Sequence, residues 1–344
     1  MSRTDRYLAL AAAVLLLLSV LTYRHSAARA DRFERGQKFL PHLNPDEIAT
    51  IALQKGDEKL TLHRRSNRYT IVEQEGYRAR NDAVNRLLRD LLEITLEKEV
   101  GEGADLEEEL ELEPPSESTV ELALYAQGEQ EMVRLRIGKP QEDGPGNYVL
   151  RLDRGKRTIY LTSRSVHLDT SSDFILQKEI LDVGRSEIAS IEGQDFRLER
   201  DEEDELKLAD LPPGRQEKSS ATGGLKSILS ALRFDKVFVA DHEEVRDLRF
   251  REALRVDLKD GSGYLLSSAV QGDRNFLRIK GFHSVTRVAI AQDESEEELE
   301  QKAEVLSRAD EIRDFNAYHG SWVYEIGEFT AKKLGLRKRD LIET

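Results

Sequence analysis

The 344 residues suit one large domain or two of ordinary size, and 52 basic against 66 acidic side chains leave a net charge of -14, the wrong sign for coating a phosphate backbone. Zero cysteines exclude disulfides, thiolate nucleophiles and cysteine-ligated zinc or iron–sulfur sites. With 39% hydrophobic and 34% charged residues, the chain has enough apolar material for a core beneath a strongly solvated acidic surface.

Residues 1–6 form a short basic segment, and residues 7–23 read YLALAAAVLLLLSVLTY. The apolar core, Leu8 to Leu21, is 14 residues, short of the ~20 that cross a bilayer, although Thr22 and Tyr23 extend it toward an interface that tyrosine favours. The expectation is one N-terminal transmembrane helix acting as a signal anchor. Ala28-Arg29-Ala30 before Asp31 also satisfies a cleavable export signal, so secretion after cleavage is the alternative. Arg3 and Arg6 face Arg24, Arg29, Arg32 and Arg35 across the segment, and the charge count alone does not orient it. The short basic start and large acidic remainder place the bulk outside an inner or cytoplasmic membrane, periplasmic in a Gram-negative cell. Residues 24–45 read as a tether, and the lack of a second apolar span argues against a channel or transporter core.

Beyond the tether two segments read alike. Asp46-Glu-Ile-Ala-Thr-Ile-Ala-Leu53 and Ser186-Glu-Ile-Ala-Ser-Ile-Glu-Gly193 match at an offset of 140 residues, and each opens a series of short alternating runs that predict half-buried strands. A helix follows in each copy. Asn81–Leu92 carries Val84, Leu87, Leu88 and Leu91 on one face with Asn81 or Asp82 as the N-cap, and Gly224–Leu232 carries Leu225, Ile228, Leu229 and Leu232 at equivalent spacing. The first copy continues with strands near Thr119–Tyr125, Glu131–Ile137, Asn147–Leu152 and Thr158–Leu161. The second has weaker counterparts at Leu254–Leu258, Tyr264–Leu266 and Asn275–Ile279. A short connecting helix is expected within Ser172–Leu181, a long amphipathic helix over Glu296–Phe315, a strand over Trp322–Ile326 and a last helix near Phe329–Leu334. The fold class expected is α+β, with duplicated mixed sheet-and-helix modules over 46–183 and 184–344, preceded by the transmembrane helix.

Candidate chemistry is sparse. His242 in Asp241-His-Glu-Glu244 and His167 in His167-Leu-Asp169 have carboxylates nearby but no complete metal shell. Ser165, His167 and Asp169 are crowded in sequence without the elbow that presents a nucleophile, and His319 and His283 stand isolated. Gly223-Gly224 before the second helix could in principle expose donors to an anion, but the reading preferred is a flexible entry to the helix after Ser219-Ser220. No catalytic residue, metal or cofactor is assigned. The expected interaction surface is aromatic: Trp322 and Tyr324 on an alternating strand beside Gly320, with Tyr148 and Tyr160 on edges of the first module, where a partner could add a strand. For Trp322 the favoured reading is core packing against a helix or sheet, with interface recognition the minority case.

The order of these elements resembles the bacterial family called domain of unknown function 4340 (DUF4340). The resemblance rests on the Asp46-Glu-Ile opening, the Asn81–Leu92 helix after the Tyr69-Thr-Ile strand, the Gly138-Lys-Pro140 turn before Gly146-Asn-Tyr-Val-Leu-Arg151, Thr158-Ile-Tyr-Leu161, Asp173-Phe174, and Gly320-Ser-Trp-Val-Tyr-Glu-Ile326. It covers about Asp46 to Ile342. It implies a membrane-anchored accessory protein, sometimes associated with gliding-type ABC transport systems, with integral membrane transporter or motility proteins as partners and no catalytic residues to carry over. The functional expectation is therefore a noncatalytic membrane-anchored envelope scaffold or accessory subunit. An envelope peptide- or saccharide-binding module is the alternative, and an uncharacterised hydrolase the third reading.

Overall fold

Alternating burial along β1 (Thr50–Lys55) and β2 (Glu58–Arg65) sets their antiparallel register, with Ile51 opposite Leu62 and Leu53 opposite Leu60, all four buried. The computed structural model describes residues 15–16, 18–20, 35–114, 116–153, 155–284 and 295–343. The chain divides into two compact units, Met1–Leu176 and Gln177–Thr344.

The first unit continues through β3 (Arg68–Ile71), β4 (Tyr77–Arg78), α1 (Asn81–Leu92), β5 (Leu96–Gly101), α2 (Ala104–Glu109), β6 (Val120–Tyr125), β7 (Glu131–Pro140), β8 (Asn147–Asp153), β9 (Lys156–Thr162) and α3 (Ser172–Ile175). Its nine strands form one sheet in the order β4-β3-β2-β1-β6-β7-β8-β9-β5. Helix α1 buries Ala83, Val84, Leu88 and Leu91, the helical stripe expected from the sequence. Its cap is Arg80 rather than Asn81 or Asp82, which both lie within the first turn; the Asp82 carboxylate accepts from the Arg80 guanidinium. Gly138-Lys139-Pro140, read as a turn, is the end of β7, where a Cβ on Gly138 would collide with the Leu110 carbonyl.

The second unit comprises β10 (Glu179–Leu181), β11 (Ile188–Glu192), β12 (Arg197–Arg200), β13 (Leu206–Leu208), α4 (Ser219–Lys226), β14 (Leu232–Arg233), β15 (Lys236–Val239), β16 (Arg251–Leu258), β17 (Ser262–Gln271), β18 (Arg274–His283), α5 (Glu296–His319), β19 (Trp322–Ile326) and α6 (Glu328–Leu334). Its main sheet runs β13-β12-β11-β16-β17-β18-β19-β15, with β10 and β14 paired apart. Laid beside the first sheet this is the same order strand for strand, β1 to β3 matching β11 to β13, β6 to β9 matching β16 to β19, and β5 matching β15. The fold is a duplicated α+β module, and β4 is the one strand of the first sheet without a counterpart in the second.

The copies differ most where the first makes a hairpin. In the first unit two residues separate β8 from β9, and the strands pair from Tyr148–Leu161 to Asp153–Lys156. In the second, α5 stands between β18 and β19, and these strands pair only over Asn275–Ile326, Phe276–Glu325 and Leu277–Tyr324. Beyond Leu277, β19 leaves with β15, pairing Val239 with Trp322, while β18 stays on β17 as far as His283. The sheet forks there.

Two expectations need correction. The helix expected at Gly224–Leu232 lies at Ser219–Lys226, so Gly223 and Gly224 sit inside α4, where the Ser227 hydroxyl donates to their carbonyls, and they are not an exposed helix start. Leu225, Ile228, Leu229 and Leu232 are all buried nonetheless. The transmembrane element is also overturned: among the described residues no helix is long and apolar enough to cross a membrane. Of residues 7–23 only Leu15, Leu16, Leu18, Ser19 and Val20 are described, as helical; the rest of that segment and the 28–31 cleavage pattern lie outside the described residues. The longest described helix, α5, has 24 residues, opens on Glu296, Glu297 and Glu298 and buries only Ile312 and His319, a polarity the hydrocarbon core does not admit. The membrane part of the expected fold class, the signal anchor, the single-pass localisation with an extracytoplasmic bulk, the bilayer contact and the membrane-transporter partnership all depended on that helix. The anchored-scaffold role falls with them.

Helix α5 seats on β18 through Gly281, where an added Cβ would lie 3.1 Å from two side-chain atoms of Ile312. Gly281→Val is therefore expected to lower stability by ~1–3 kcal/mol through overpacking, with Gly281→Ala milder; thermal unfolding of the two variants checks the order, and equal midpoints would contradict the contact.

Candidate functional site

Where the second sheet forks, a cavity of about 400 Å³ opens, lined by Phe250, Leu265 and Ser267, by Arg278, Ile279 and Lys280 of β18, and by Asn316, His319, Gly320 and Trp322 from the end of α5 and the start of β19. Its size lies within the ~300–1,000 Å³ of ordinary ligand pockets. The open edge of β18 is partly occupied by a side chain: Gly281 N–H donates to Asn316 Oδ1 at 2.7 Å and Asn316 Nδ2 donates to the Gly281 carbonyl at 2.8 Å. The amide of Asn316 thus supplies, at one residue, the two bonds that a neighbouring strand would make.

Two arginines on the same face of β18 are treated oppositely. Arg274 fastens the closed end of the fork, donating to Glu325 Oε2 on β19 at 2.7 Å and to Glu244 Oε2 at 2.6 Å, with its guanidinium 5.0 Å from the Phe276 ring centroid. Arg278, four residues on, lies 4.4 Å over the Phe250 ring, and its Nε is buried with no hydrogen-bond partner among the described residues. Lys280 follows on the same face, exposed. No residue lining the cavity is acidic.

The back wall is aromatic. His319 is 2% exposed, its Nδ1 lies 2.6 Å from the Tyr324 hydroxyl, and its ring stacks on Phe315 at 4.2 Å. Trp322, the only tryptophan in the chain, is 7% exposed and packs 6.2 Å from the Tyr318 ring. Of the four aromatics expected to form a surface, Trp322 lines the cavity and Tyr324 lies fully buried behind His319. Tyr148 and Tyr160 belong to the first unit and point to opposite faces of its sheet, because Tyr148 pairs with Leu161 and Tyr160 with Val149. Tyr148 packs against the cluster of Leu110, Leu112, Leu150 and Ile159, and Tyr160 meets Phe39 edge-on at 5.9 Å.

The other sequence candidates do not converge on this cavity. Ser165 and His167 line a separate groove of about 250 Å³ with Asp90, Glu93 and Arg164, while the Asp169 carboxylate is taken by the Ser171 backbone N–H at 2.8 Å. His242 accepts from Glu244 N at 3.2 Å and packs on Phe238. Among the described residues no group of three or more His, Asp or Glu is placed to hold a metal ion. Sequence reading passed over His319 as isolated and did not single out Arg278 or Asn316. The available signal was the repeat itself, whose offset jumps between the third and fourth strands of the β6–β9 series because a helix has been inserted.

Residues 70–253 match the family described as Domain of unknown function (DUF4340), more than half of the chain. The chain belongs to the DUF4340 family. No curated protein and no solved structure matches it. The DUF4340 match starts in β3 of the first unit and ends in β16 of the second, so among the cavity residues it takes in Phe250 alone. The part of the expected resemblance that tied the chain to a membrane and to ABC transport has no support in the match.

Two outcomes follow from this geometry. Asn316→Ala removes both bonds to Gly281 and is expected to cost ~1–3 kcal/mol, with the Gly281 amide exchanging with solvent far faster than its β18 neighbours; unchanged protection in hydrogen-exchange NMR would contradict the cap. The Arg274 guanidinium beside Glu244 holds that carboxyl below its usual 4.5, so its contribution is complete above pH 4.5 and is lost as pH falls through the depressed value. Arg274→Met should flatten that acid limb of the stability curve while lowering the thermal midpoint at pH 7, and an unaltered limb would count against the clamp.

Proposed function

We propose that this DUF4340 chain is a noncatalytic binding module whose second unit holds, in the cavity between β18 and β19, an anionic ligand carried on an apolar body. The observation that carries the reading is the pair Arg278 and Lys280 in a cavity without a single acidic lining residue, in a chain whose net charge is -14. Leaving a buried donor unpaired costs ~1–3 kcal/mol, and a bond to a charged group contributes ~1.5–3 kcal/mol. A ligand oxygen at the terminal nitrogens of Arg278 adds the second; the Nε, closed off from solvent, takes no part in that contact. Phe250, Leu265 and Trp322 supply apolar walls for the rest of the ligand. His319, 2% exposed, stacked on Phe315 and with its Nδ1 at the Tyr324 hydroxyl, supplies part of those walls.

Dansylglycine, a carboxylate on an aromatic body, is a direct probe because energy transfer from the single Trp322 reports its arrival. Native protein is expected to bind it more tightly than dansyl amide, and Arg278→Gln to weaken dansylglycine roughly tenfold or more while leaving dansyl amide unaffected. Equal affinity of native and Arg278→Gln protein for dansylglycine would sink the reading.

A further inference from the structure

We infer that the cavity receives the C-terminal end of an extended peptide, its main chain added to the open edge of β18 at Ile279 and its terminal carboxylate held by Arg278 and Lys280; this rests on the anion-binding reading above. The first support is backbone parity. The β17–β18 ladder runs without a shift from Ser262–His283 to Gln271–Arg274, and in such a ladder the N–H and C=O of alternate residues point to the same edge. Gly281 directs both groups away from β17, onto Asn316. Ile279, two residues earlier, therefore directs its N–H and C=O to that same edge, into the cavity it lines.

The second support is the neighbouring copy of the module. At the equivalent position of the first unit the edge of β8 is covered along its length by β9, so the shape that completes this edge is an extended chain. In the second unit the ladder to β19 stops at Leu277–Tyr324, and Asn316 covers Gly281, which leaves the single residue Ile279 between two satisfied neighbours. One open residue suits a chain end. A strand running through would displace Asn316 on one side and Tyr324 on the other, whereas a terminal residue pairs once and places its carboxylate beside the cations that flank Ile279 in sequence. The walls of Phe250, Leu265 and Trp322 then fit an apolar terminal side chain, and the cavity of about 400 Å³ has the size of a chain end rather than of a long strand. Recognition of this kind combines strand addition with capture of a terminal carboxylate.

The test uses the full chain and three mixed libraries of acetylated tripeptides: one with a free C-terminal carboxylate, one amidated, and one with the free carboxylate but N-methylated peptide bonds. Displacement of dansylglycine is read through Trp322. The free-acid library is expected to displace the probe, and the amidated and N-methylated libraries to need at least about tenfold higher concentration. Ile279→Pro removes the N–H on the open edge and no ladder bond to β17, and should weaken the free-acid library by a clearly larger factor than it weakens dansylglycine; equal factors would count against main-chain pairing. If the N-methylated library competes as well as the free-acid one, or if no library displaces a probe whose binding still depends on Arg278, the peptide inference is overturned while the anion reading stands. If dansylglycine binding is absent or indifferent to Arg278→Gln, both fall.

Discussion

The second unit is organised by a main-chain ladder that stops early. Antiparallel strands separated by two residues in sequence pair along their length, as β8 and β9 do. Inserting α5 between β18 and β19 removes that tether, and β19 then follows β15 away from β18 after three pairs. The unpaired edge is the source of everything distinctive in this unit. It requires a cap at Gly281, provides the cavity, and directs the backbone of Ile279 into open space. A helix that brings Ile312, Phe315, Asn316 and His319 to the fork keeps the split from collapsing. Its seat depends on a glycine at 281 for close approach and on the Asn316 amide to replace absent strand bonds.

Electrostatics divide one strand into a structural end and a vacant end. Arg274 and Arg278 share a face of β18 and each lies over an aromatic ring, so their packing is alike. Their partners are not. Arg274 binds carboxylates from two elements and so joins β18 to β19. Arg278 has its ring but no carboxylate in a lining made of neutral and cationic residues. Arg278 therefore carries its positive charge into a cavity whose lining offers it no carboxylate.

The sequence was most legible where local pattern and tertiary demand agree. Alternation at Asp46–Leu53 and Ser186–Gly193 marked the paired first strands, and the 3.6-residue stripe of Val84, Leu88 and Leu91 marked α1. The strand Trp322–Ile326 has the bounds its alternation indicated. Where the signal failed, a specific physical cause is visible. Helix α4 runs through two glycines, against their intrinsic preference, because Leu225 is needed in the core and the Ser227 hydroxyl satisfies the freed carbonyls. Leu225, Ile228, Leu229 and Leu232 are all buried as expected, but only Leu225 lies in the helix. The apolar run Leu8–Leu21 suggested a bilayer span by composition, yet among the described residues no helix is long and apolar enough to cross a membrane.

By itself the sequence determined the α+β class, the duplication and most of the strands, because period-2 and period-3.6 burial are written residue by residue into the chain. It also established that an acidic protein without cysteine offers no thiol chemistry. Only the tertiary structure decided where the two copies part. Phe250, Arg278 and the stretch from Asn316 to Trp322 lie far apart along the chain, and no local pattern indicates that an inserted helix will draw them together. The cavity is a property of pairing that did not form, and which backbone groups remain unpaired is settled only when every strand has found its neighbour.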